Sequence, residues 1–242
     1  MTGRLVQQRD LTADDRRAMH CLLDAHFEGV SIEQFRADLA EKNWVILLGD
    51  DEATIAGFST LLVYETTFRG DPVSVVYSGD TIVRPDAWGS AVLPRTWIAS
   101  VNHLRSLYPH GRYYWLLITS GFRTYRFLPL FWKEFFPRHD ARTPHDLLDL
   151  RHHLARERFG RRYDASTGIV RFDRPQALRP ALSGIPDERL DDPHIAFFAA
   201  ANSSHARGDE LVCVTELCDA NLTSAGRRMV GISKRCGPCV RA

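Results

Sequence analysis

Between Val73 and Thr119 the sequence runs from a β-branched apolar segment into a punctuated turn, then a helix-spaced stripe, then a second apolar segment. Val73 to Val83 reads as a strand, and Pro85 to Ser90 as a turn. Ala91 to Leu107 reads as a helix whose apolar stripe is Trp97, Val101 and Leu104. Pro94 fits the first turn of that helix, where its missing N–H costs nothing. Tyr113 to Thr119 reads as the next strand, broken by Gly121. Two strands joined through a helix pair in parallel, because the crossover is too long for a hairpin. The expected class is therefore α/β (α+β): a mixed sheet flanked by helices.

The chain before this unit supplies two helices and an antiparallel meander. Thr12-Ala13-Asp14-Asp15 caps a helix through Met19, Leu22 and Leu23, where Cys21 is expected in the core. Ser31 to Gln34 fits a capping box, followed by Phe35 and Leu39 on one face. Asn43 ends that pattern. Trp44 to Leu48 and Ala56 to Phe68 read as strands, with turns at Gly49 to Glu52 and Arg69 to Pro72. Downstream, the aromatic-rich Thr124 to Phe136 is expected to be helical, as is Pro144 to Phe159, stopped by Gly160. Ile169 to Phe172, Ile195 to Ala199 and Glu210 to Thr215 are possible strands. Residues 1–160 form the expected domain, and 161–242 an extension of uncertain fold.

Composition bounds the function classes. Of the 242 residues, 31 are basic and 30 acidic, so no overall field recruits nucleic acid. No apolar run approaches the roughly 18 to 20 residues that cross a bilayer. No hydrophobic leader opens the chain, so a cytoplasmic location is expected. There is no His-Glu-x-x-His pair, no Walker loop and no Gly-x-Ser-x-Gly elbow. Cys213, Cys218, Cys236 and Cys239 leave three readings open: a zinc site, a tail disulfide, or a tail without function. No metal is expected in the site.

The segment Val83-Arg84-Pro85-Asp86-Ala87-Trp88-Gly89-Ser90-Ala91 resembles the acyl-CoA-binding segment of the GCN5-related N-acetyltransferase (GNAT) superfamily. The resemblance extends through the element order over about residues 10–140. Members carry a strand ending in Val-x-Pro and an Arg/Gln-x-x-Gly-x-Gly/Ala turn. Aligned through Val-x-Pro, Trp88 stands at the Arg/Gln position, Ala91 replaces the central glycine and Leu93 the last small residue; the shifted register places Asp86, Gly89 and Ala91 there instead, so the turn is degenerate.

The resemblance implies a cofactor, acetyl-CoA or another acyl-CoA, and direct transfer of its acyl group to an amine on a small molecule or peptide. The thioester would lie near Val83, and the pyrophosphate against the amides of Gly89, Ser90, Ala91 and Val92, as helix N-termini bind anions. It implies a base from the fourth-strand carboxylate Asp80, with Glu65 as second candidate. Tyr125 is the implied acid toward the departing sulfur, with Ser120 as helper. By simple alternation Asp80 shares a strand face with Ser78 and Ile82. Two alternatives stand beside the acyltransferase: a protein of this fold acting as a binding or assembly module, and an enzyme using the same cleft for other chemistry.

Overall fold

The computed structural model describes residues 1–49, 54–108 and 110–233. Its elements in chain order are β1 (Thr2–Gln7), α1 (Ala13–His26), β2 (Phe27–Glu28), α2 (Ile32–Ala40), β3 (Trp44–Gly49), β4 (Ile55–Phe68) and β5 (Asp71–Val83). Then come α3 (Val92–Leu107), β6 (Arg112–Thr119), α4 (Phe122–Tyr125), α5 (Phe127–Phe131), β7 (Phe135–Phe136) and α6 (His145–Phe159). The remainder is β8 (Tyr163–Asp164), β9 (Ile169–Val170), β10 (Ala177–Leu178), α7 (Pro180–Ser183), α8 (Pro193–Ala201), β11 (Glu210–Glu216) and α9 (Ser224–Ser233).

The main sheet has the order β1-β3-β4-β5-β6-β11-β9-β8, with β7 also on β11. Every described pairing in it is antiparallel except β5 with β6, which run parallel from Val73↔Arg112 to Ser78↔Leu117. The helix joining them, α3, lies on one face. The mixed sheet flanked by helices and the parallel pair joined by the 92–107 helix both follow the expectation from sequence. Among the described residues past 160, β8, β9 and β11 extend the same sheet past β6.

Local chemistry explains the element starts. Thr12 Oγ1 accepts from Asp15 N at 3.0 Å, and Asp15 accepts in return from Thr12 N at 3.0 Å, a reciprocal cap for α1. Ser31 Oγ accepts from Gln34 N at 3.1 Å and starts α2. Gly160, at φ 55°, ends α6 in a conformation that only glycine adopts without strain.

Three apolar clusters hold the layers. On one face, α3, α5 and α8 cover Ile46, Val76, Trp115 and Cys213. Its centre is a tryptophan triad, with ring centroids 4.3 Å apart for Trp97–Trp115 and 5.0 Å for Trp115–Trp132. Truncating any of these buried rings to alanine would cost about 3–5 kcal/mol. On the other face α6 covers Val73, Val75 and Tyr77, while α1 and α2 cover Val45, Phe58 and Ile82.

Three local expectations are corrected. Residues 124–136 are not one helix. Two short helices, α4 and α5, end at Phe131, and the chain returns to the sheet as β7. The buried Asn221 fixes that return, accepting from Glu134 N at 2.8 Å and donating to Glu134 O at 3.0 Å. Ile195 to Ala199 lies in helix α8, because Asp192 caps it from Oδ1 to His194 N at 3.0 Å and Pro193 occupies the first position. Cys21 is exposed, on the solvent side of α1.

Candidate functional site

The site begins with a fault in β5. Ser59 pairs with Thr81 but Leu61 pairs with Ser78, so Thr60 faces both Gly79 and Asp80. That is a β-bulge, and an inserted residue reverses the alternation of side chains beyond it. Before the bulge, the even-numbered residues face α3: Val76 lies in that core, and Ser78 Oγ accepts from Trp115 Nε1 at 2.8 Å. After it, Ile82 lies in the opposite core under α1 and α2. Asp80 goes with Ile82, and the expected sharing of a face with Ser78 does not hold. Gly79 packs tightly here: a Cβ would stand 2.7 Å from Thr60 Oγ1 and 2.8 Å from Lys42 Cε, so both side chains would have to shift.

The bulge coincides with the end of the parallel pairing. Past Ser78 and Leu117, β5 continues alongside β4 while β6 continues alongside β11. The β6-facing edge of residues 79–83 is left without a strand partner, and the sheet parts there.

Two cavities open at this parting, one on each face. The first, of about 500 Å³, lies on the α1–α2 side; Lys42, Tyr77, Asp80, Arg158 and Glu210 are among its walls. The second, of about 580 Å³, lies on the α3 side, and its walls include Leu93, Trp97, Trp115, Phe122 and Phe127. Thr81, Val83, Trp88, Arg123 and Thr124 line both. The cleft therefore runs through the sheet at the unpaired end of β5.

The first cavity concentrates titratable groups. Burial raises the Asp80 carboxyl to about 6; Lys42 opposes the shift and Asp38 adds to it. Burial raises Glu210 to about 8, with the Asp80 charge contributing. Lys42 is itself lowered by burial, an effect that Asp80 partly offsets. Its Nζ donates to Asp38 O at 3.0 Å and lies 5.3 Å from the Tyr77 ring centroid. Arg158 lies over the same ring at 5.0 Å and pairs with Glu41. A carboxyl poised near 6 beside a polar cavity can accept a proton near neutral pH.

The expected site residues divide. Asp80, Val83 and Gly89 line the cleft, and so does Ser90. A Cβ at Gly89 would meet nothing within 4 Å, so neither φ nor packing demands glycine there. Ser90 N is engaged with Ala87 O at 3.0 Å and Val92 N with Ser90 Oγ at 3.2 Å. Ala91 caps α3 without a side-chain hydrogen bond. Ser120 lines the first cavity.

Glu65 lies elsewhere, opposite Ser74 near the β4–β5 hairpin and 3.4 Å from His110 Nε2. It lies six residue steps along the strand from Ser59 at the bulge, a span of about 20 Å. Tyr125 is fully buried and is not among the residues lining either cavity. Its hydroxyl donates to Pro137 O at 2.9 Å, and its ring packs on Phe135 and Phe198. Cys213 is buried in the sheet and Cys218 is half-buried, while Cys236 and Cys239 lie outside the described residues.

Sequence reading missed Lys42, Glu210 and Arg158, which line the first cavity. The one available signal for Glu210 was an acid opening an otherwise apolar strand, Glu-Leu-Val-Cys-Val. No helix among the described residues is long and apolar enough to cross a membrane.

No family model matches the sequence, and no curated protein matches it. Among solved structures the chain is similar to an Enterococcus faecalis protein of unknown function described as a probable N-acyltransferase. The identity is 13%, over 52% of this chain and 31% of that one, with a TM-score of 0.39. It is similar to an Escherichia coli GNAT-family N-acetyltransferase in complex with CoA, at 14% identity over 52% of this chain and 68% of that one, TM-score 0.39. A third similarity is to Arabidopsis thaliana glucosamine-6-phosphate N-acetyltransferase, at 14% identity over 44% and 77%, TM-score 0.33. The chain spans about a third of the length of the first of these, and each similarity is distant and partial.

Proposed function

We propose that this chain is an acyl-CoA-dependent N-acyltransferase, with the acyl donor entering by the second cavity and an amine by the first. One observation carries the reading: two cavities on opposite faces of the sheet meet at Thr81 and Val83, where β5 has lost its β6 partner. Two reactants can approach one another there without competing for one entrance. Holding them in line removes much of the entropy cost of a bimolecular step.

When bound, acyl-CoA supplies an activated thioester. Leu93, Trp97 and Phe122 would hold its apolar arm, and the open space at Gly89 admits it past the turn. Asp80 takes the proton from the incoming ammonium, so that the nitrogen carries a free lone pair. Its raised pKa, about 6, leaves it mostly ionised at pH 7.5 yet basic enough to act. Lys42 keeps that carboxyl from rising further. The unpaired edge of residues 79–83 offers backbone amides toward developing negative charge on the acyl oxygen. Thr124, on the wall common to both cavities, would supply a hydroxyl toward the departing thiolate, which leaves as the thiol with the second proton given up by the nitrogen.

A second reading, binding without transfer, is favoured by the internal engagement of the Ser90 and Val92 amides. Calorimetric titration with acetyl-CoA, followed by an acyl-transfer assay over a panel of amines, separates the two. The transferase reading expects saturable binding that Gly89→Glu abolishes, and turnover with at least one amine. Binding without turnover over the panel supports the module, and no binding at millimolar acetyl-CoA removes the coenzyme from the account.

A further inference from the structure

The turn before α3 commits part of its donor set internally. Ser90 N and Val92 N are already spent, and the third helical position is Pro94, which has no N–H. Anion cradles built from backbone need several converging amides. Across the second cavity, however, stand two arginines. Arg123 opens from α4, its guanidinium carbon 4.0 Å from the Trp88 ring centroid and 4.6 Å from that of Phe122. One of its nitrogens donates to Leu182 O at 3.3 Å. Arg189 lines the same cavity from the segment after α7.

Among the described residues neither arginine makes an ion pair within 4 Å. Arg126, also on the wall, is held by Asp192 at 3.5 Å and is not available in the same way. Glu188 is the one carboxylate on this wall. Burial lowers the Arg123 pKa, and the Arg189 charge lowers it further. Two cations that make no ion pair within 4 Å among the described residues, on the wall of a mainly apolar cavity, can take an anion. An arginine fork held over a tryptophan ring can still present its N–H groups to phosphate.

We propose that Arg123 and Arg189 are a diphosphate-binding pair at the rim of the second cavity, across from the turn of residues 89–92. The ligand class is an elongated molecule with an apolar arm and a diphosphate end. The assignment of that ligand as coenzyme A rests on the transferase reading above; the anion site itself does not. Trp88 then has a positive function: it stands where the related turns carry Arg or Gln, anchors itself by donating from Nε1 to Val83 O at 2.7 Å, and presents its face to Arg123.

The test is calorimetric titration with three probes, coenzyme A, pantetheine and inorganic pyrophosphate, against the native protein, Arg189→Ala and Arg123→Gln. Arg189 is exposed, so its variant tests the site without disturbing the core. Circular dichroism melts confirm that both variants fold. The expected result is a loss of tenfold or more in coenzyme A and pyrophosphate affinity in each variant, with pantetheine affinity unchanged. Unchanged coenzyme A binding in both variants overturns the arginine pair and leaves the transferase reading intact. An equal loss for pantetheine overturns the pair too, because the effect would then not lie in the phosphates. Pyrophosphate binding that needs both arginines, without any binding of coenzyme A, keeps the anion site and overturns the coenzyme. A native protein that binds none of the three overturns both.

Discussion

The two cavities share a wall but differ in where they keep their charge. On the α3 side the interior is aromatic and aliphatic, and the ionisable groups stand at the rim. On the α1–α2 side Lys42, Asp80 and Glu210 line the interior, with raised carboxyl and lowered ammonium pKa values. Burying charge is expensive, and a fold retains it where it is paired or used. The apolar chamber suits a ligand arm whose contacts do not change during reaction. The charged chamber suits a reactant that must change its protonation state. That asymmetry supports the proposed placement of the donor on one side and the amine on the other.

Removing the base should break the comparison most completely. Asp80→Asn keeps the shape of the bulge and deletes the proton acceptor. Turnover is expected to fall by roughly 100- to 10,000-fold, the range for loss of a general base. Acetyl-CoA affinity, measured by calorimetry, should stay within about threefold, because the donor occupies the other face. In the native enzyme kcat/KM should rise with pH through about 6, the pKa of Asp80 in the free enzyme. A profile without that limb, or turnover that survives in Asp80→Asn, removes Asp80 as base.

Glu210 probes the same chamber through stability. Its folded pKa, about 8, lies above the ordinary value of 4.5. The folded state therefore holds a proton that the unfolded chain releases, and stability falls as pH rises from about 4.5 to about 8. Glu210→Gln cannot ionise and loses that dependence. The variant should melt close to the native protein at pH 5 and several degrees above it at pH 8, a gain on the order of a few kcal/mol. Thermal melts at the two pH values check this, and an equal shift at both would mean that Glu210 does not titrate in this window. No comparable pH effect is expected from polar substitutions in the α3-side chamber.

The reach of sequence reading follows the same division. Strands 55–68, 71–83 and 112–119 and the 92–107 helix were legible because each has its own periodicity and its own stop signal. Thr12 and Ser31 announced their helices by the side chains that cap them. The apolar wall was half legible, since Gly89 and the α3 stripe belong to that continuous unit. The charged chamber was not. Lys42, Asp80, Arg158 and Glu210 come from four separated segments, and only tertiary folding brings them together. Asp80 was found, but its face was misassigned, because a bulge breaks the alternation on which the inference stands. Gly79 was the available clue, as a glycine inside a strand often marks a bulge. The aromatic run 124–136 misled for a related reason: its turns are set by Asn221, which lies far along the chain.

Tyr125 gives the smallest effect and the sharpest contrast with Asp80. From sequence it was the natural acid for the leaving sulfur, because it follows the strand after the crossover. In the fold its hydroxyl is turned away from the cleft and donates to the Pro137 carbonyl, and burial holds its pKa above the ordinary tyrosine value. A phenol so placed neither reaches the reacting atoms nor gives up its proton readily. Tyr125→Phe keeps the ring against Phe135 and Phe198 and removes one hydrogen bond. The expected cost is about 0.5–1.5 kcal/mol of stability, the net worth of such a bond. Turnover at saturating acetyl-CoA should stay within about twofold, where loss of an acid would cost roughly 10- to 1000-fold. Measuring both quantities on one preparation makes the result decisive. A melt lowered by a few degrees with unchanged kcat places Tyr125 in the packing of α4 against α8. A collapse of kcat with an unchanged melt would return it to the chemistry and require the cleft to open toward α4 during turnover.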